Sequence, residues 1–301
     1  MNMSKFKTIK KYNQNFKNYN FSEDTPVAEL EFLEMTIDFD TEGRVVSEVK
    51  FTEDGEMEEQ NDYRYDANGK LIEHELYYAL DEAREKVVLV RDEKGKLVSE
   101  TKMYGDEKGA HVEFEYDRKD RVVAIVNYDD DGDFSSRETI EYNDAGGIVK
   151  RSTLGIDNKI VSEIKFVYLS DKQVEETHYD EKGKMGNLTV TTFDDNGKEV
   201  NSVERNAQGK LISSMLNIFD DRGNVIEKIY KDFHSKKVKN EYDEKDQLIL
   251  QEIFDTNGLL VKRNTYDYDE AGNIISEQNF EMDSSRGGRD RHFGTRYEYI
   301  S

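Results

Sequence analysis

A five-residue signature recurs along this chain: an aromatic, an Asp or Asn, two variable positions and a Gly. It reads Phe39-Asp40-x-x-Gly43, Tyr65-Asp66-x-x-Gly69, Tyr142-Asn143-x-x-Gly146 and Tyr179-Asp180-x-x-Gly183. It continues as Phe193-Asp194-x-x-Gly197, Phe219-Asp220-x-x-Gly223, Phe254-Asp255-x-x-Gly258 and Tyr268-Asp269-x-x-Gly272. Asp92/Gly95 and Asn206/Gly209 keep the turn without the aromatic. Tyr116-Asp117 and Tyr242-Asp243 end instead in Asp120 and Asp246, a residue type that tolerates positive φ. From Asp40 to Asp66, Asp92, Asp117 and Asn143 the steps are 26, 26, 25 and 26 residues. A second series (Asp129, Asp180, Asn206, Asp255) falls between members of the first.

The chemistry of the signature is a turn. An Asp or Asn side chain accepts a hydrogen bond from the backbone two residues on. A Gly three residues on takes the left-handed conformation that closes a type I turn into a hairpin with a bulge. After each turn comes an apolar pair, such as Val45-Val46, Leu71-Ile72, Val122-Val123, Leu211-Ile212 or Ile274-Ile275. Successive strand residues face opposite ways, so each pair puts one apolar group on each side of a sheet. The spacing predicts an all-β chain, a long antiparallel meander of about 20 strands of roughly 7–9 residues that curls or spirals. A β-propeller is the competing architecture, since two repeats make a blade-sized unit.

Composition decides how thick the core can be. Only 35% of residues are apolar and 36% are charged, against roughly 45–50% and about 25% in ordinary domains. The 33 aromatics (18 Tyr, 15 Phe) are regularly spaced, so the chain folds, around a thin core. The organisation predicted is a basic segment over 1–25, a hairpin repeat domain over 26–283, and a mobile loop and terminal strand over 284–301. Residues 1–20 carry five lysines and no acid, interleaved with Phe6, Tyr12, Phe16 and Tyr19. They read as a tail or edge-covering segment, or as a docking arm.

The formal net charge is −23, and because both ends are basic the acidity sits in the body. Such a surface repels phosphate backbones, which disfavours nucleic acid and favours a basic protein partner. The same charge also keeps a large sheet soluble. There are no cysteines, hence no disulfide, thiolate nucleophile or Cys-based zinc site. Residues 1–20 lack the apolar stretch of a secretory leader, and no apolar run approaches the 18 residues that span a bilayer as a helix. A soluble, cytoplasmic protein without membrane insertion is expected, with export by another route left open.

At the level of motif, Tyr63-Arg64-Tyr65-Asp66-x-x-Gly69-Lys70-Leu71 and Tyr266-Asp267-Tyr268-Asp269-x-x-Gly272 resemble the YD repeats of the RHS family, over roughly residues 35–283. The resemblance implies strands spiralling into a shell around a toxic segment. The chain departs from that pattern in its longer, more regular period. It also holds a single proline, Pro26, where the family's shells end in a proline-containing self-cleavage motif. It is also similar to short repeat proteins that neutralise secreted toxins.

Little in the sequence points to catalysis. His74, His111, His178, His234 and His292 are scattered without metal-ligand spacing, and there is no phosphate-cradling Gly loop or nucleophile elbow. Asp129-Asp130-Asp131-Gly132-Asp133 with Glu138 is a candidate calcium loop through Asp129, Asp131, Asp133 and Glu138. Its spacing departs from an EF-hand, which needs Gly sixth and Glu twelfth, and an overcharged hairpin tip is the alternative. Arg286, Arg289 and Arg291 are candidates for an anion site. No cofactor is expected. The reading is a non-enzymatic protein-binding repeat module that neutralises or escorts a basic, toxin-like partner. A cell-surface or carbohydrate-binding module and a structural spacer are the alternatives.

Overall fold

The computed structural model describes residues 6–16, 28–232, 235–282 and 290–301. Its strands are β1 (Thr8–Phe16), β2 (Ala28–Phe39), β3 (Val45–Phe51), β4 (Met57–Tyr65), β5 (Leu71–Tyr78), β6 (Ala83–Arg91) and β7 (Leu97–Tyr104). Then follow β8 (Glu107–Tyr116), β9 (Val122–Tyr128), β10 (Phe134–Tyr142), β11 (Ile148–Leu154), β12 (Ile160–Ser170), β13 (Gln173–Asp180) and β14 (Met185–Phe193). The order closes with β15 (Glu199–Asn206), β16 (Leu211–Phe219), β17 (Val225–Lys231), β18 (Lys236–Tyr242), β19 (Leu248–Phe254), β20 (Leu260–Tyr268), β21 (Ile274–Glu281) and β22 (Arg291–Ile300).

The signature folds as its chemistry requires. At Asp66, one carboxylate oxygen accepts from the backbone N–H groups of Asn68 and Lys70, both at 2.9 Å. The Gly69 N–H reaches the Asp66 carbonyl at 3.0 Å, and Gly69 sits at φ +77°. Asp120 and Asp246 take φ of 65° and 62° in place of glycine. A register shift precedes many of these turns, as at Asp38/Phe39, Glu141/Tyr142 and Asp267/Tyr268, which is the bulge that bends each hairpin. The turns at Asp40, Asp66, Asp92, Asp117 and Asn143 end even-numbered strands, and those at Asp129, Asp180, Asn206 and Asp255 end odd-numbered ones. The two interleaved series are therefore the two ends of an up-and-down meander.

The pre-turn tyrosines have a second task. Several of them, and Tyr299 near the end of β22, reach sideways to the carbonyl of the residue that starts the neighbouring strand. The pairs are Tyr116 to Leu97 at 2.7 Å, Tyr142 to Val122 at 2.8 Å, Tyr268 to Leu248 at 2.9 Å and Tyr299 to Ile274 at 2.8 Å. One hydroxyl thus ties successive hairpins at the same end, contributing about 1 kcal/mol.

Two compact units divide the chain. One comprises Met1–Tyr63, Leu76–Ala83 and Asn217–Ser301, the other Arg64–Glu75 and Arg84–Leu216. In the second, β6 to β16 pair in sequence, each antiparallel to the next. In the first, β17 to β22 do the same among the pairings described, and β22 then pairs with β1, which pairs with β2. Thr8 faces Ile300 on one side and Asp38 on the other, and the Lys7 N–H donates to the Ile300 carbonyl at 2.8 Å.

That pairing overturns the expected fold class. All 22 strands belong to one sheet, and its strand order is cyclic: a closed antiparallel β-barrel in its connectivity, neither an open or spiralling meander nor a propeller. The physical reason is that an open sheet leaves two rows of unpaired N–H and C=O groups, which closure pairs. The shell of strands implied by the YD-repeat resemblance is corrected with it. The basic segment expected over 1–25 contributes β1, a fully paired strand, and the terminal strand begins at Arg291.

The cytoplasmic placement is corrected too. It rested on a test for apolar helical spans. No helix among the described residues is long and apolar enough to cross a membrane, but that criterion does not bear on a closed strand array, which crosses by strands. The expectation is withdrawn.

Packing is thin on both faces. The most buried apolar residues are Ile9, Ala124, Val126, Ile140, Val238 and Phe280, and among them only the small Ala124, at 1%, falls below 2% exposed. Small polar groups share the buried positions. Gln251 donates to Asn240 at 3.1 Å, Asn264 donates to Gln251 at 3.2 Å, and Asn240 donates to the Val225 carbonyl at 2.7 Å. These three lie directly opposite one another on β18, β19 and β20, forming an amide ladder across one face.

Candidate binding surfaces

The candidate calcium loop is a hairpin tip like the others. One Asp129 carboxylate oxygen accepts from the N–H groups of Asp131 (3.1 Å) and Asp133 (2.9 Å), and Gly132 closes the turn at φ +81°. Asp130 is turned onto β8, where it accepts from the Ala110 N–H at 2.8 Å. Glu138 lies on β10 opposite Ile125 and Thr153, with Arg151 at 3.7 Å. The four candidates do not converge, and among the described residues no three His, Asp or Glu side chains are placed to hold a metal. Of the candidate anion site, Arg286 and Arg289 lie outside the described residues. Arg291 begins β22, is 75% exposed and pairs with Glu281 at 2.5 Å.

The tip is instead an acidic patch. Asp106 and Glu107 bound the β7–β8 turn, and Asp129, Asp130, Asp131 and Asp133 form the β9–β10 turn. None of these carboxylates is within ion-pair distance of a described cation. At other turns the acid is neutralised locally: Arg121 sits 2.6 Å from Asp117, and Arg44 sits 2.6 Å from Asp40. Backbone hydrogen bonds hold the turn carboxyls low. At Asp66, Asp180, Asp194 and Asp255 the largest cause is the N–H four residues on, from Lys70, Lys184, Lys198 and Leu259.

Charge stands at mid-strand on both faces of the second unit. Glu113, Arg137, Lys150 and Glu163 share one face, and Glu138, Arg151 and Glu176 share the other. Of the histidines, His111 stacks on Tyr128 with ring centres 4.2 Å apart, His178 meets Glu176 at 2.6 Å, and His292 stacks on Phe16 at 4.3 Å. His74 lies on β5, and His234 is outside the described residues.

A basic cleft of about 740 Å³ went unread in the sequence. It opens where β17 passes to β18, beside the end of β19, and is lined by Ile229, Tyr230, Phe254 and the lysines 231, 236, 237 and 239. Lys236 lies over the Tyr230 ring at 5.0 Å, and Lys239 lies over the Phe254 ring at 5.5 Å. The signal was present as five lysines between Lys228 and Lys239 with one acid, Asp232.

Comparison with known proteins gives likenesses of strand architecture only. No protein-family model and no curated protein matches the chain. Among solved structures, a porin-like protein from Bacteroides uniformis is similar over 98% of this chain and 97% of its own, at 9% identity and a TM-score of 0.34. A protein of unknown function from Bacteroides fragilis is similar over 52% of this chain and 87% of its own, at 11% identity and a TM-score of 0.15. Neither likeness is high enough to carry an argument about activity. The toxin-neutralising role, which rested on a similarity to short repeat proteins, is not tested by these likenesses and is not carried further.

Proposed function

We propose that the chain is a non-catalytic binding module that engages a basic protein through its carboxylate-rich sheet. The observation that carries this is the acidic patch at the β7–β8 and β9–β10 turns, whose carboxylates meet no described cation within a chain of net charge −23. Charges left unpaired at a rim steer an oppositely charged partner and speed its association. The test is affinity capture with the folded chain, followed by association rates of the captured protein across a salt series. The expected partner is basic, associates more slowly as salt rises, and loses rate when Asp130, Asp131 and Asp133 are changed to Lys. Salt-independent association would refute the proposal.

A second reading, a barrel that crosses or lies against a membrane, is favoured by the cyclic strand order, which spanning strands require. It must accommodate the mid-strand charges on both faces, since a lipid-facing side is an apolar band. Extraction of native membranes with carbonate separates the readings, because a spanning barrel stays with the bilayer.

A further inference from the structure

We propose that the lysine cleft between β17, β18 and the end of β19 binds a small organic polyanion, bearing phosphate or sulfate groups on a body with an apolar face. The neighbouring acids are already committed. Lys239 lies opposite Glu227 and Glu252, yet Glu227 holds Lys237 at 2.7 Å and Glu252 is bound by Arg263. Asp255, the acid lining the cleft, spends its carboxylate on its own turn, accepting from the N–H groups of Asn257 at 2.8 Å and Leu259 at 2.9 Å. Lys231, Lys236 and Lys239 are left without an ion-pair partner among the described residues, and all three line one cleft.

Lys231 and Lys239 share the sheet face of Ile229 and Phe254, with Lys236 over the Tyr230 ring at the rim of the cleft, and like charges gathered round one space repel each other unless an anion lies between them. Lysine acts on phosphate-type groups as a mobile point charge. The acidity of the remaining chain does not cancel this attraction, because exposed charges beyond about 8 Å are screened at physiological salt. Ile229, Tyr230 and Phe254 give the cleft an apolar wall, which suits a ligand with an organic body rather than a bare ion. The volume lies within the range of small-molecule sites, about 300–1,000 Å³.

The test is calorimetric titration of the full chain with two probes, inorganic tripolyphosphate and a sulfated disaccharide, alongside thermal melting with each. At least one probe is expected to bind with submillimolar affinity, to raise the melting midpoint, and to weaken as salt is added. Binding of the first alone assigns phosphate, and binding of the second alone assigns sulfate. Affinity should fall at least ~10-fold in the triple variant Lys231→Gln, Lys236→Gln, Lys239→Gln. The single variant Lys239→Gln, which leaves the strand pairing intact, should weaken binding in the same direction. Lys172→Gln, in the β12–β13 turn and outside the cleft lining, should bind as the parent does. If neither probe binds the parent, or if the triple variant binds as tightly as the parent, the proposal is overturned.

Discussion

Gly294 lies in β22 where that strand is held between its two neighbours, opposite Gln14 of β1 and Gln278 of β21. A Cβ added there would stand 2.6 Å from the Glu277 carbonyl oxygen and 3.1 Å from Cε2 of Phe16. Phe16 can turn aside, but the carbonyl belongs to a paired strand. Reaching even 3.0 Å needs a movement of about 0.4 Å, which must stretch the β21–β22 ladder. Strain of this kind costs about 1–3 kcal/mol. At ~2–4 °C per kcal/mol for chains approaching this length, Gly294→Ala should melt several degrees below the parent by far-ultraviolet circular dichroism. Gly186 in β14 is the control, also an extended strand glycine. Its added Cβ would lie 3.7 Å from the His178 carbonyl oxygen, an ordinary contact. Gly186→Ala should be neutral, or more stable by ~0.4–1 kcal/mol through a less free unfolded chain. If Gly294→Ala melts with or above the parent, β22 is not clamped as described.

Two further outcomes are expected. Gly223, at φ +84°, closes the turn after β16, so Gly223→Val should destabilise by at least ~1 kcal/mol, while Gly223→Asn should cost less; equal melting of all three would contradict the turn assignment. Asp66, Asp180, Asp194 and Asp255 have carboxyl pKa values lowered in the folded state, so their contribution is present above the unfolded value, near 4, and lost as pH falls through the folded values. Asn206 makes the same bonds with an oxygen that does not titrate, from Gln208 at 3.0 Å and Lys210 at 2.9 Å. Changing the four acids to Asn should therefore flatten the loss of stability in acid titrations below about pH 4; an unchanged acid midpoint would refute this.

The hairpins were legible because a turn is local chemistry, written in five adjacent residues. Where the signature changes, the turn is harder to see. Thr52 replaces the acid and receives the Glu56 N–H at 3.2 Å, and Gly155 starts a turn that Asn158 closes at φ 58°. Closure was not legible at all, because nothing within Lys7–Phe16 marks Arg291–Ile300 as its neighbour. That pairing joins residues nearly a chain length apart, and only the demand that every edge be satisfied predicts it. The lysine cleft was missed for a related reason. Its lysines lie on β17 and β18, either side of a connection without the Asp-x-x-Gly signature, and the overall negative charge masks a local excess of the opposite sign. The calcium candidate shows the reverse error, in which acids adjacent in sequence are spent on backbone N–H groups and never converge.

Because β1 is flanked by β2 and by the last strand, the order of synthesis matters. On the ribosome, residues 8–16 can find one companion in the next strand, Ala28–Phe39, but the other, Arg291–Ile300, emerges only after all the strands between them. Throughout elongation one flank of that segment stays raw, open to pairing with whatever extended peptide it meets. A nascent chain that stalls before Arg291 is therefore sticky along two lines at once, the open flanks of β1 and β21, and the emergence of Arg291–Ile300 covers both.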